Sequence, residues 1–400
     1  MYVTRPMSMY KKYPSALSLP PPEGPNSGIL VIQDEAAEPR WFFGLFRGHH
    51  LRELPFPQNK EIKLRYASGT QDNRHVEHFY AAFIPVLDQP LSSNRYYAIK
   101  SRGGHKGEAY TCSTEEDLQT CCFCTFAPNM DPKPLHPKNI YQQFEVHQKG
   151  RLTQIGGFVA ESIAPDGFPP KFLGRKGWEI YTSSSSSYDF QLGEAPGLDT
   201  ALRSRLPELN FPLAYRTSDP VVVGKWYIPF MFIKEAWSRP KDQMSLSMYY
   251  EMTLEQRWEK IYTCEQSKLI EGHNAVVVDV PVERQVVAIG GRESGGEVHA
   301  EGDVVNGLVW YKEDQGSQVG LSLVIVERME WEEKTVGWVH GGKEREVRVN
   351  KVEEFGGKKS EWREFGCYVL VETFVLKRVD GSLVLTCDFR HTHQIRSRWE

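Results

Sequence analysis

Glu372, His391, His393 and Tyr368 are the polar residues of this chain whose types and spacing best suit chemistry. A carboxylate beside an imidazole is a pair that general acid–base catalysis uses, the histidine moving the proton and the carboxylate orienting its ring. Two histidines at i and i+2 on one strand face could also ligate a metal, with Glu372 as third ligand or as the group that orients one of them. What would bring the four together is a hairpin. Residues 368–379 are rich in β-branched and aromatic side chains, Asp380-Gly381 follows, and residues 382–395 resume the pattern. An Asp-Gly pair between two such runs favours a two-residue type I′ turn, because both central positions need φ > 0. That turn sets Val379 opposite Ser382. Alternation then collects Leu383, Leu385, Cys387, Phe389, His391 and His393 on one face, opposite Arg378, Leu376, Phe374, Glu372, Leu370 and Tyr368. Glu372 lies diagonal to His391, a backbone separation of roughly 7–8 Å that long side chains close. A carboxylate on so apolar a face needs a partner, and the imidazole is the nearest one. The same contact would serve as a structural ion pair at the rim of a sheet.

Cysteines are the next candidates. Ser113-Thr-Glu-Glu116 is a capping-box pattern opening a short helix to about Cys122. A helix of about eight residues is roughly 12 Å long, which separates Cys112 from Cys121, Cys122 and Cys124. One zinc ion, with sulfurs at about 2.3 Å, cannot take all four across that span. The alternatives are a three-cysteine site with His136, acylation beside Phe123 and Phe126, or small buried side chains packing the helix end. The last is the reading adopted, with no metal and no cofactor. Arg102-Gly-Gly-His-Lys-Gly107 has the glycines and cations of a phosphate cradle but reads more simply as a hairpin turn. His75-Val-Glu-His78 has the i, i+3 spacing of a helical metal pair, yet it sits between turn-like residues 71–74 and a strand, which makes it an exposed loop.

The elements that must position these groups are mostly strands. Alternating or apolar runs predict strands at 28–33, 61–66, 79–84, 96–100, 107–111, 140–146 and 156–161. Further strands are predicted at 275–280, 285–289, 307–311, 319–326, 337–340 and 346–349. Asp199 to Leu206 reads as a helix stopped by Pro207. Thr253-Leu-Glu-Gln256 is a second capping-box pattern, opening a helix with Leu254, Trp258, Ile261 and Tyr262 on one face. Ser183–Ser187 and Gly290–Asp303 read as mobile connections. The fold class is therefore α+β, mostly antiparallel β, with two sheet-based halves (sandwich- or barrel-like) and a few short helices. Its segments are an extended Pro-rich stretch at 1–27, an N-terminal β-rich half at 28–195, an irregular join at 196–220 and a C-terminal β-rich half at 221–400. Residues 26–34 faintly echo 306–314, as an old duplication would leave them.

Four hundred residues with ordinary apolar and charged content can bury the cores of two domains. A net charge of −4 argues against nucleic-acid binding, which needs a basic face. No apolar run is long enough for a transmembrane segment, and the first residues lack a signal sequence. Seven cysteines, an odd number, read as reduced thiols. The expected location is cytoplasmic, with the nucleus as the alternative.

Met1-Tyr-Val-Thr-Arg-Pro6 and residues 15–28 resemble the opening of a plant-restricted family known as domain of unknown function 1262. Residues 85–97, Thr120-Cys-Cys-Phe-Cys124, Val223-Gly-Lys-Trp226, residues 380–386 and Phe389-Arg-His-Thr-His393 resemble the same family. The resemblance runs over essentially the whole chain and implies no activity, cofactor or catalytic residue. No nucleophile elbow, phosphate loop or dinucleotide fingerprint is present. The expected function is non-enzymatic: a binding or interaction protein whose partner is another protein or a small molecule. The alternative is an enzyme or small-ligand binder, with His391 as acid/base, Glu372 orienting it, and His393 and Tyr368 positioning the ligand.

Overall fold

Alternation of apolar and polar residues builds most of the chain into mostly antiparallel sheets, with a few short helices between them. The computed structural model describes all residues except 39, 42–45, 70–72, 122–123, 149–156, 183–189, 237, 267–273, 291, 294–303, 313–315, 340–344 and 357–361. The expected mobile connection at 183–187, and most of the one at 290–303, lie outside the described residues. Two units form: Met1–Pro196 with Tyr227–Tyr250, and Gly197–Trp226 with Glu251–Glu400. No described helix is long and apolar enough to cross a membrane.

In the first unit, β1 (Tyr2–Pro6) runs parallel to β2 (Gly28–Ile32). A Cβ at residue 28 would fall 2.3 Å from the Tyr2 ring, so glycine there lets the two strands close. The N-terminal stretch is not extended throughout, because Met7–Lys12 forms a short helix, α1, that buries Met7 and Tyr10 one turn apart. Seven further strands are β3 (His50–Leu51), β4 (Ile62–Ser68), β5 (His75–Pro85), β6 (Arg95–Lys100), β7 (Gln143–Gln148), β8 (Phe158–Ser162) and β9 (Glu179–Thr182). They form one sheet in the order β8-β7-β6-β5-β4-β9-β3. Its inner face carries Leu64, Phe83, Ala98, Phe144 and Ile180, packed with Phe56 and Trp178. Burying each large side chain here contributes on the order of 1.5–3 kcal/mol. His75–His78, expected to be a loop, is the first part of β5.

The eight-residue helix expected from residue 113 is a single tight turn, Glu115–Asp117, capped reciprocally by Thr114 and Asp117. Gln119–Cys121 and Cys124–Phe126 then pair as a small hairpin. The separation argued from helix length therefore does not hold. Cys122 and the side chains of Cys121 and Cys124 lie outside the described residues. Cys112 is buried, which pushes its thiol up to about 11.

In the second unit, α2 (Thr200–Arg205) is capped by Asp199, whose carboxylate accepts the Leu202 N–H at 2.9 Å. Of the expected join at 196–220, residues 197–220 thus contribute ordered elements to this unit. β10 (Val221–Pro229) and β11 (Tyr249–Glu265) each cross the unit boundary, so only their portions at 221–226 and 251–265 count here. β12 (Gln285–Ile289), α3 (Leu323–Thr335), β13 (Glu364–Arg378) and β14 (Leu383–Trp399) complete the part that matters for the site. The strand order is β10-β11-β13-β14-β12.

Three elements of this unit differ from expectation, one of them the strand expected over 337–340, whose described residues 337–339 form no strand. Thr253–Gln256 does not open a helix: Met252, Leu254, Gln256 and Trp258 alternate inward along β11, and this period of two prevails over a four-residue capping signature. The strand expected over 319–326 stops at Ser322, where α3 begins. The buried residues of α3 are Val324, Ile325, Val326, Arg328, Met329, Glu332 and Glu333. Three of these seven are charged, which hides the helical period in the apolar pattern.

The β13–β14 hairpin has the expected register where it matters, by an unexpected route. Gly381 N–H donates to Arg378 C=O at 2.9 Å, and of the two residues at the tip only Gly381 takes a positive φ, +85°. The Asp380 carboxylate accepts from Ser382 N–H and Oγ–H at 2.8 and 2.6 Å, which holds this three-residue loop in place of the type I′ turn. The loop sets Lys377 opposite Leu383, and an irregularity at Val384 then restores Leu376↔Leu385, Phe374↔Cys387, Glu372↔Phe389 and Leu370↔His391. Beyond His391 a second irregularity places Val369 opposite Ile395 and Tyr368 opposite Arg396, so Tyr368 does not face His393.

Candidate functional site

β13 and β14 carry Glu372 and His391 to the same buried point, and α3 and α2 close over it. His391 Nε2 lies 2.9 Å from Glu333 Oε2 and 3.4 Å from Glu372 Oε2. Arg203 Nε donates to Glu372 Oε1 at 3.0 Å, and its Nη2 reaches Glu372 Oε2 and Glu333 Oε1. Gln256 Nε2 donates to Glu372 Oε1 at 2.7 Å and to the Arg203 carbonyl at 3.0 Å. Glu332 pairs with Arg203 and Arg328. Glu372, His391 and Glu332 are each 1% exposed, Glu333 0%, Arg328 3% and Arg203 4%, which closes the cluster to solvent.

Three carboxylates here face two guanidinium groups and one imidazole. The cluster therefore needs a proton on His391 or Glu333 to avoid a net negative charge in a low-dielectric interior. Burial and the adjacent Glu372 charge push the Glu333 carboxyl up to about 8. Burial disfavours the imidazolium of His391, but hydrogen bonds to Glu333 and Glu372 and their charges override it and raise its pKa to about 9. Burial also opposes the charge on Glu372, while His391 and Arg203 hold that carboxyl below its ordinary range.

Of the four residues picked out by spacing, the structure brings Glu372 and His391 together. His393 stands beside them with ring centroids 5.4 Å apart from His391, but it is exposed, and its Nε2–H donates to the Val336 carbonyl at the end of α3. Tyr368 packs instead among Leu213, Trp258 and Leu370. The ligand atoms of Glu333, Glu372 and His391 lie within 4.8 Å of one another, as a metal would require. Arg203 already supplies the positive charge those carboxylates need and bonds both oxygens of Glu372, which argues for an ion-pair cluster over a cation site. Arg203, Arg328, Glu332 and Glu333 escaped the sequence reading, because residues 330–333 look like the polar face of a surface element.

The opposite kind of site lies in the first unit, on the solvent face of its sheet. Lys63 and Arg65 of β4 project opposite to the buried Ile62 and Leu64. Cross-strand pairing sets Tyr181–Lys63–Tyr80 in one row and Glu179–Arg65–His78 in the next. Glu61, Lys63, Arg65, His78, Tyr80 and Arg102 line a cleft of about 540 Å³, with His49, Tyr181 and Thr182 completing it. Arg102 donates through two nitrogens to Glu61, at 2.9 and 2.6 Å, and lies 3.9 Å from the centroid of the Tyr80 ring. It is the one residue of the Arg102–Gly107 loop that lines the cleft. Arg65 Nη1 pairs with Glu179 at 2.7 Å, and Tyr181 O–H donates to the same carboxylate at 3.0 Å. His50 stacks on Tyr181 with centroids 4.9 Å apart. Burial and the charges of Lys63 and Arg65 lower the pKa of His78.

These features define a β-rich protein with a closed charge cluster in one unit and a polar, cationic cleft in the other. Residues 23–123, about a quarter of the chain, match the family described as "Protein of unknown function (DUF1262)". The matched segment contains Glu61, Lys63, Arg65, His78, Tyr80 and Arg102 of the cleft. No curated protein matches the chain. Among solved structures, the crystal structure of Cry35Ab1 is similar over 86% of this chain and 90% of that one, at 10% identity and a TM-score of 0.46.

Proposed function

We propose that this protein is a non-enzymatic binding protein and that the cleft on the outer face of β4, β5 and β9 takes a small molecule. The observation that carries this reading is the cleft itself: about 540 Å³, floored by a sheet and lined by two tyrosines among charged and polar side chains. Ligand sites of small molecules commonly span about 300–1,000 Å³ and combine such features. The burial of His391 and Glu372 speaks against the catalytic alternative, because an acid/base pair must reach its substrate. Within the cleft, the carboxylate best placed to act as a base, Glu61, is held by both arms of the Arg102 fork.

The test is a fragment screen by protein-observed NMR on the full chain. Hits should perturb the resonances of Lys63, Tyr80 and Tyr181 together, and Tyr181→Ala should weaken them roughly tenfold. Hits that cluster elsewhere and ignore this substitution would overturn the proposal.

A further inference from the structure

Within the cleft the charges do not cancel. Arg102 is matched by Glu61 and Arg65 by Glu179, whereas Lys63 has no ion-pair partner among the described residues. Lys63 is also the central member of its row, with Tyr181 paired to it on one side and Tyr80 on the other. Two strand spacings of about 4.8 Å separate the tyrosine backbones, a width that admits one planar ring above the lysine stem. The strand order puts His50 on the outer side of Tyr181, so the stacking partner fixes that ring while its inner side faces the cleft. Arg102 is similarly fixed by Glu61 against Tyr80. The two rings and Arg102 therefore have partners before any ligand arrives, which reduces the ordering cost of binding.

Resting on the cleft being the binding site, we infer that its ligand is an aryl anion: Lys63 and Arg65 take a phosphate or carboxylate, and Tyr80 and Tyr181 hold the ring. Arg65 spends only Nη1 on Glu179, so the rest of its fork can turn to the anion beside the Lys63 ammonium. His78, paired with Arg65 across the strands, sits in the same positive field and reports on it.

The experiment titrates the full chain with phenyl phosphate, benzoate, inorganic phosphate, phenol and benzylamine at millimolar concentrations, following histidine and tyrosine resonances by NMR. Phenyl phosphate and benzoate are expected to shift Tyr80 and Tyr181 and to raise the His78 pKa, because a bound anion offsets Lys63 and Arg65. Inorganic phosphate should raise the His78 pKa with roughly tenfold weaker affinity than phenyl phosphate, since it lacks the ring. A preference for phenyl phosphate over benzoate, or the reverse, tells which anion the cleft was shaped for. Lys63→Glu should abolish binding and Lys63→Gln should weaken it about tenfold, both with unchanged far-UV circular dichroism and melting temperature. Phenol or benzylamine binding at the same residues as tightly as phenyl phosphate would overturn the anion assignment and leave the cleft as the site. If none of the five perturbs Tyr80, Tyr181 or His78, the ligand class and the site fall together.

Discussion

His391 Nε2 lies 2.9 Å from Glu333 Oε2, so a strand histidine and a helix carboxylate share a proton in the closed interior of the second unit. Both groups hold their protons more tightly folded than unfolded: His391 up to about 9 from 6.5, Glu333 up to about 8 from 4.5. A raised pKa gives stability that is complete below the unfolded value and is lost as pH rises through the folded one. Glu372 works the other way, its depressed pKa giving stability that is lost only in acid. Stability is therefore expected to fall between about pH 4.5, where Glu333 begins to differ from its unfolded state, and about pH 9, where His391 finishes, by about 1.4 kcal/mol per pH unit for each proton that the folded chain alone retains. Urea unfolding across that range measures it, and His391→Gln should flatten the profile. A wild-type midpoint that stays level or rises would contradict the shared proton.

Arg203 is the keystone of the same cluster, and replacing it by methionine strands Glu372 and Glu333 without their guanidinium. Removing one partner of a buried ion pair typically costs about 3–5 kcal/mol, because the remaining charge stays buried. Arg203→Met should lose that much in urea unfolding, and adding Glu372→Gln should recover part of it. By contrast, Arg239→Ala breaks the exposed pair with Asp242 and should cost less than about 0.5 kcal/mol. Equal small effects at the two sites would show that burial of the cluster carries no energetic weight.

Much of the sheet structure and one edge of this cluster were legible in the sequence. The alternation of residues 61–66 and the Asp-Gly reversal mark strands correctly, and Glu372 and His391 fall on one face as alternation requires. Their other partners were not legible, because Arg203 lies 169 residues from Glu372 in sequence and Glu333 lies 58 from His391, each on a helix. No local period encodes such a meeting. α3 was missed for a related reason: three of its seven buried side chains are charged, and burial of charge is decided by partners that a linear pattern does not contain. The cleft was present in fragments, as the lysine and arginine of β4 and as Arg102 in a glycine loop, but only strand pairing sets Tyr80 and Tyr181 on either side of Lys63.

The hairpin tip offers a test of how the register is held. Gly381 takes φ +85°, and nothing crowds the space a Cβ would enter there, so a substitution meets backbone strain alone. Gly381→Ala should cost about 1–2 kcal/mol, the usual penalty of a side chain in left-handed backbone. Asp380→Asn should cost much less, since Asn-Gly favours a type I′ turn and that turn gives the same pairing from Leu376↔Leu385 onward. Urea unfolding of the two variants checks the order. If Asp380→Asn proves the more damaging, the Asp380–Ser382 contacts fix the register, and the irregularity at Val384 does not.

Lys63 and Leu64 are consecutive residues on opposite faces of β4, one lining the cleft and one fully buried under it. Leu64→Ala should cost about 2–5 kcal/mol through the cavity it leaves beneath the sheet. Lys63→Ala removes a half-buried cation that has no ion-pair partner among the described residues, and should change stability by no more than about 0.5 kcal/mol. Losing Lys63 should also relieve His78 of a like charge, raising its pKa towards the ordinary imidazole value. Urea unfolding and an NMR titration of His78 read the two effects separately. A Lys63 that proved as costly to remove as Leu64 would be a structural residue, and the uncompensated charge at the centre of the cleft would then serve the fold.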